Sequence, residues 1–131
     1  MINKTQCVEL LLKEFPEYRS IYEENKHTDA DGKDLLLLVV VMGNFASLFA
    51  KELIEKNELE KFKKVAKFIE KLIIEGNEAV SNAAKVGFLE ALTNQVKFKK
   101  GDVGERFAKY LGEKSKEFCV DLDRFWGTKT I

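Results

Sequence analysis

The sequence predicts an all-α domain of six or seven helices. Three observations carry that expectation. Apolar side chains recur at helical spacing along most of the 131 residues. A single proline and eight glycines leave little punctuation for an all-β fold. The one strand-like run, LLLLVVV at residues 35–41, has no second β-branched run of matching character to pair with.

The elements follow in order. Val8, Leu11, Leu12 and Phe15 are spaced i, i+3, i+4, i+7, which is one buried helical face. Pro16 ends that helix or opens a second short one, PEYRSIYEE, with Tyr18, Ile21 and Tyr22 apolar. The polar stretch NKHTDADGK then reads as a loop.

Residues 35–50 carry no charge, a run of sixteen. That falls short of the roughly 20 residues needed to span a bilayer, and Asn44 and Ser47 interrupt it. Leu38, Met42, Phe45, Phe49 and Leu53 keep helical spacing, so residues 34–56 are expected to form one central helix. Asp31 or Asp34 would cap its start and Asn57 lies at its end. Gly43 should mark a close crossing with a neighbour, and the helix should be packed by segments 58–75 and 77–95.

Leu59, Phe62, Val65, Ile69 and Leu72 form the next stripe, with lysines opposite and Glu60–Lys64 in the favourable i, i+4 order. Gly76 and Asn77 supply a C′ residue and an N-cap. Val80, Ala84, Gly87, Phe88 and Ala91 continue the pattern. Asp102 followed by Glu105 suggests a capping-box start, with Val103, Phe107, Tyr110 and Leu111 apolar. A last helix, about 113–126, would present Phe118, Leu122, Phe125 and Trp126. With no linker and no low-complexity stretch, residues 1–131 read as one domain.

Charge is balanced, 22 basic against 22 acidic side chains. That argues against a dedicated nucleic-acid binder, which would show a basic surplus. The distribution is uneven. Residues 1–34 hold eight acidic and five basic groups, and residues 51–100 hold eleven basic and eight acidic. Two cysteines, Cys7 and Cys119, are too few for a disulfide-built secreted domain, and Glu9 and Glu14 break any signal-peptide core. A cytoplasmic protein with reduced thiols is expected.

No constellation points to catalysis. With Gly32 as the sixth position of a calcium loop, the first would be His27 and the twelfth Leu38, where Asp and Glu are needed. His27 is the lone histidine, set in a loop away from both cysteines. Zinc-type spacing, a phosphate loop and hydrolase motifs are lacking, so no metal or cofactor is expected. The lysine-rich face (Lys61, Lys63, Lys64, Lys67, Lys71, with Lys97, Lys99 and Lys100) is interleaved with Glu58, Glu60, Glu70 and Glu75, which suits a solvated surface.

The segment EKFKKVAKFIEKLIIEGNEAVSNAAKVGFLEAL pairs two amphipathic helices around a Gly-Asn turn. Its second half, with Val80, Ala83, Ala84 and Leu92, resembles the second helix of a HEAT-type repeat. With MGNFASLF, GFLEAL and the FW near the end, residues 34–127 resemble a bacterial family of small all-helical proteins. Some members of that family look like immunity proteins of contact-dependent or polymorphic toxin systems. Residues 1–33 carry no such resemblance. The resemblance implies a bundle with a HEAT-like antiparallel pair and a stoichiometric inhibitor of a cognate toxin, with no catalytic group. A helical adaptor module of another partner is the alternative. For a nuclease toxin with a basic cleft, the acidic surplus of Glu17, Glu23, Glu24, Asp29 and Asp31 would be the binding surface.

Overall fold

Asn3 starts the first helix. Its side chain accepts the Gln6 backbone N–H at 2.9 Å, and the Gln6 side chain accepts the Asn3 N–H at 2.9 Å, closing a capping box. The computed structural model describes residues 1–25, 27–28, 34–35, 37–56, 58–98 and 101–126. In it α1 spans Lys4–Glu14 and buries Cys7, Val8, Leu11 and Leu12. Pro16 opens a 3-10 turn, Pro16–Tyr18, which runs into the short helix α2, Arg19–Glu24.

The polar stretch that follows is more than a loop. His27–Thr28 (β1) pairs antiparallel with Asp34–Leu35 (β2), and residues 29–33 lie outside the described residues. This ladder delays the central helix, so α3 spans Leu38–Glu55 rather than beginning at residue 34. Paired strand backbone already satisfies groups that a helix start would leave open. Leu37 precedes α3 without a side-chain cap; Asp34 sits in the ladder, and Asp31 and Asn57 are outside the described residues.

Helix α4, Leu59–Glu75, buries the expected stripe except Leu59, which is 40% exposed. Gly76 ends it in an extended conformation (φ −76°), so a left-handed C′ is not what requires glycine. A Cβ there would press into the Val80 side chain and the Leu72 carbonyl. Asn77 caps α5 by accepting the Val80 N–H at 3.0 Å. Helix α5 covers residues 78–95 but changes character: α over Glu78–Asn82, π over Ala83–Glu90, α over Ala91–Gln95. An eight-residue π stretch is rare, and nothing in the spacing announced it.

The π stretch is where α5 packs on α3. A Cβ on Gly87 would lie 2.8 Å from the Val39 carbonyl and 3.0 Å from Met42 Cβ, so only glycine fits. Gly43 sits opposite, within ordinary contact of the Gly87 carbonyl at 3.6 Å. The expected close crossing is there. By contrast α4 reaches α3 through rings: Phe62 stands on Phe49 at 5.9 Å and Phe68 on Phe45 at 6.4 Å.

Two helices complete the bundle. Helix α6 is short, Glu105–Ala108; Glu105 accepts the Gly101 N–H at 3.1 Å instead of returning to Asp102. Helix α7, Glu113–Trp126, turns Ser115, Cys119 and Asp123 inward, while Phe118 is only half-buried. Its start is capped from another helix. Glu70 of α4 accepts the Lys114 N–H at 2.9 Å, the Ser115 N–H at 2.9 Å and the Ser115 hydroxyl at 2.8 Å. The chain is thus an all-α domain around one core, with a two-residue ladder as its only sheet among the described residues. None of the described helices is long and apolar enough to cross a membrane.

Candidate functional site

Of the five acidic residues predicted as a binding surface, Glu17, Glu23 and Glu24 are among the described residues. Glu17, in the 3-10 turn, meets Lys61 at 2.7 Å. Lys61 also contacts both oxygens of Glu52, at 2.7 and 2.8 Å. Burial opposes the charge on Lys61, yet Glu17 and Glu52 hold its pKa above the ordinary lysine value. Burial likewise works to raise Glu17, but Lys61, a backbone hydrogen bond and Lys64 outweigh it and hold it below the usual carboxylate range. Glu23 and Glu24 are exposed on the last turn of α2, and Asp29 and Asp31 lie outside the described residues. Glu17 belongs to an ion-pair network with the lysine helix.

That helix is not uniformly solvated either. Lys64 Nζ donates to the Glu14 carbonyl at 2.6 Å and lies 5.2 Å from the Phe15 ring centroid, closing the C-terminal end of α1. Lys63, not Lys64, pairs with Glu60, at 3.5 Å, and stands 5.5 Å from the Tyr110 ring centroid. Lys67 and Lys71 have no ion pair or hydrogen bond among the described residues, and neither has Lys13 on α1. These three lysines border one groove.

The groove runs between α1 and α4. Its wider part, about 720 Å³, is lined by Met1, Ile2, Gln6, Glu9, Leu10, Lys13, Ile74 and Glu75. A narrower part, about 200 Å³, is lined by Leu10, Glu14, Lys64, Lys67, Phe68 and Lys71. Leu10 lines both parts. The apolar part of the lining is Met1, Ile2, Leu10, Phe68 and Ile74, of which Ile74 is 61% exposed. Both ends are tied. Ile2 donates its N–H to Glu75 and accepts the Asn77 N–H, each at 2.8 Å, while Lys64 holds Glu14 at the other end. The walls are therefore held in place before anything binds.

Sequence reasoning passed over this groove, although two signals were present. Of the three leucines in VELLLKEF only Leu11 and Leu12 fall on the buried stripe, and of the apolar run in KLIIEG only Leu72 and Ile73 do. Leu10 and Ile74 are the off-stripe members of each run, and they face the same groove.

Both thiols are free and buried. Burial pushes Cys7 up to about 12, and burial with Asp123 nearby does the same for Cys119. A thiol held protonated at neutral pH is a poor nucleophile. Among the described residues, no three His, Cys, Asp or Glu side chains are grouped to hold a metal ion.

A family described as a domain of unknown function (DUF7674) matches residues 8–127. The chain belongs to that family. No curated protein and no solved structure matches it. The DUF7674 match begins inside α1 and ends one residue past α7. Residues 8–33, which carried no resemblance in the sequence, are therefore covered by the family match. So are both walls of the groove, from Val8 onward.

Proposed function

We propose that this DUF7674 protein acts by binding, forming a stoichiometric complex with a partner protein and performing no reaction of its own. The observation that supports this reading is the α1–α4 groove, a cleft of mixed apolar and charged lining whose walls are tied at both ends. Preorganised clefts of this kind lower the ordering cost of association. The resemblance of residues 34–127 to immunity-type helical proteins supports a toxin domain as the partner and the cytoplasm as the place. An adaptor for another protein is the second reading, and the same groove favours it equally.

Co-expression with the toxin-sized reading frame beside its gene tests the proposal. The expected outcome is cell survival and a one-to-one complex by size-exclusion chromatography with light scattering. A one-to-one complex with a harmless partner would move the reading to the adaptor. Absence of any complex with neighbouring gene products, together with no protection, would remove it. Reversing Glu23 and Glu24 to Lys asks separately whether the acidic end of α2 takes part.

A further inference from the structure

We propose that the α1–α4 groove seats an amphipathic helix of the partner, with acidic residues over Lys13, Lys67 and Lys71. This rests on the binding reading above and names the chemistry of its site. Length comes first. From Lys4 to Glu14 the α1 wall runs about 16 Å at 1.5 Å per residue, which matches a helix of about three turns. Ile2, Leu10 and Ile74 line the wide part, and Leu10 and Phe68 the narrow part. A lining of that kind accepts apolar anchors spaced i, i+3 or i+4, i+7 on a partner helix.

Charge decides the rest. Lysines 61, 63 and 64 already have partners, whereas Lys13, Lys67 and Lys71 have none among the described residues. Lys67 and Lys71 line the narrow part beside Glu14, and Lys13 lines the wide part. The wide part also carries Glu9 and Glu75, which have no side-chain partner among the described residues. A docked helix is therefore oriented, with carboxylates toward Lys67 and a basic residue toward Glu75. Such rim pairs chiefly speed association and set direction, while the apolar lining supplies residence time. A nucleic-acid backbone would leave Ile74 and Leu10 unused and would meet Glu9 and Glu75.

The test uses the full chain and a displayed library of helical 14-residue peptides with one randomised face, selected for binding. Enriched sequences should carry apolar residues at i, i+3 or i+4 and i+7, with Asp or Glu beside them at one end. Their affinity should fall at least tenfold in Ile74→Glu, and at least tenfold in Lys67→Glu/Lys71→Glu. It should be unchanged in Glu23→Lys/Glu24→Lys. All of these positions are exposed, and matching circular dichroism checks that each variant folds. Recovery of basic sequences, of binders indifferent to Ile74→Glu, or of none at all overturns the assignment. If the natural partner still binds the lysine variant fully and loses the Glu23/Glu24 variant, the groove assignment falls while the binding reading stands.

Discussion

At Phe45 the ring lies 5.1 Å from Phe15, 5.6 Å from Tyr18, 5.1 Å from Phe88, 6.4 Å from Phe68 and 6.5 Å from Phe49. Those rings come from the 3-10 turn, its leading residue and three different helices, so one side chain ties them together. Phe45→Ala should cost about 3–5 kcal/mol, because burial is lost and a cavity is left. Urea denaturation checks it, and a loss under about 1 kcal/mol would place Phe45 outside the core. The Phe45 assignment was legible because burial repeats with the helical period. The Lys64 partner was not. A helical i, i+4 pair is worth only about 0.2–0.5 kcal/mol, so the open Glu14 carbonyl at 2.6 Å readily takes its place. Tyr18 was read as apolar, and it does pack in the core, but its hydroxyl also donates to the Val41 carbonyl at 2.8 Å. That tertiary hydrogen bond has no local signature.

Elements depend on one another at their ends. Helix α7 begins without its own cap and takes Glu70 from α4 instead. Burial tends to raise the Glu70 pKa, but the Lys114 N–H, the Ser115 groups and the Lys114 charge outweigh it, so it lies below the ordinary 4.5. A carboxylate with a lowered folded pKa contributes stability fully above its unfolded value, and that stability is lost as pH falls through the folded value. Glu70→Ala should cost about 1–2 kcal/mol at neutral pH, the usual worth of an N-cap. The gap in melting temperature between wild type and variant should then shrink below about pH 4. A gap that stays constant down to pH 3 would show that the Glu70 charge does not hold α7. The start of α3 and the π stretch of α5 belong to this scale too. Both follow from what packs beside them, and the hydrophobic pattern alone carried neither.

Over the whole molecule, the core is one cluster that includes α1 through Cys7, Val8, Leu11 and Leu12. The Ile2 bridge and the Lys64 contact fasten α1 to α4 and α5 at both ends. Unfolding should therefore be a single cooperative transition, in which circular dichroism and hydrogen exchange of α1 amides report the same free energy. Earlier release of α1 would show that the groove wall is a separate unit. The charge balance also looks different at this scale. The acidic N-terminal segment and the basic helix, opposite in sign along the chain, meet at Glu17–Lys61 and Glu14–Lys64.

The sequence by itself determined the all-α class, the place of each long helix and most of the buried stripe. These are properties of local period, because a helix buries every third or fourth residue wherever the rest of the chain lies. It also placed Gly43 at a crossing, since a small residue in an apolar helix has few other uses. Only the tertiary structure decided which lysines are paired, that Leu10 and Ile74 share an open groove, and that α3 begins after a ladder. The partners involved lie 44 and 50 residues apart in Lys61–Glu17 and Lys64–Glu14. No local spacing encodes such contacts, because they depend on which faces the packed core brings together and which it leaves uncovered.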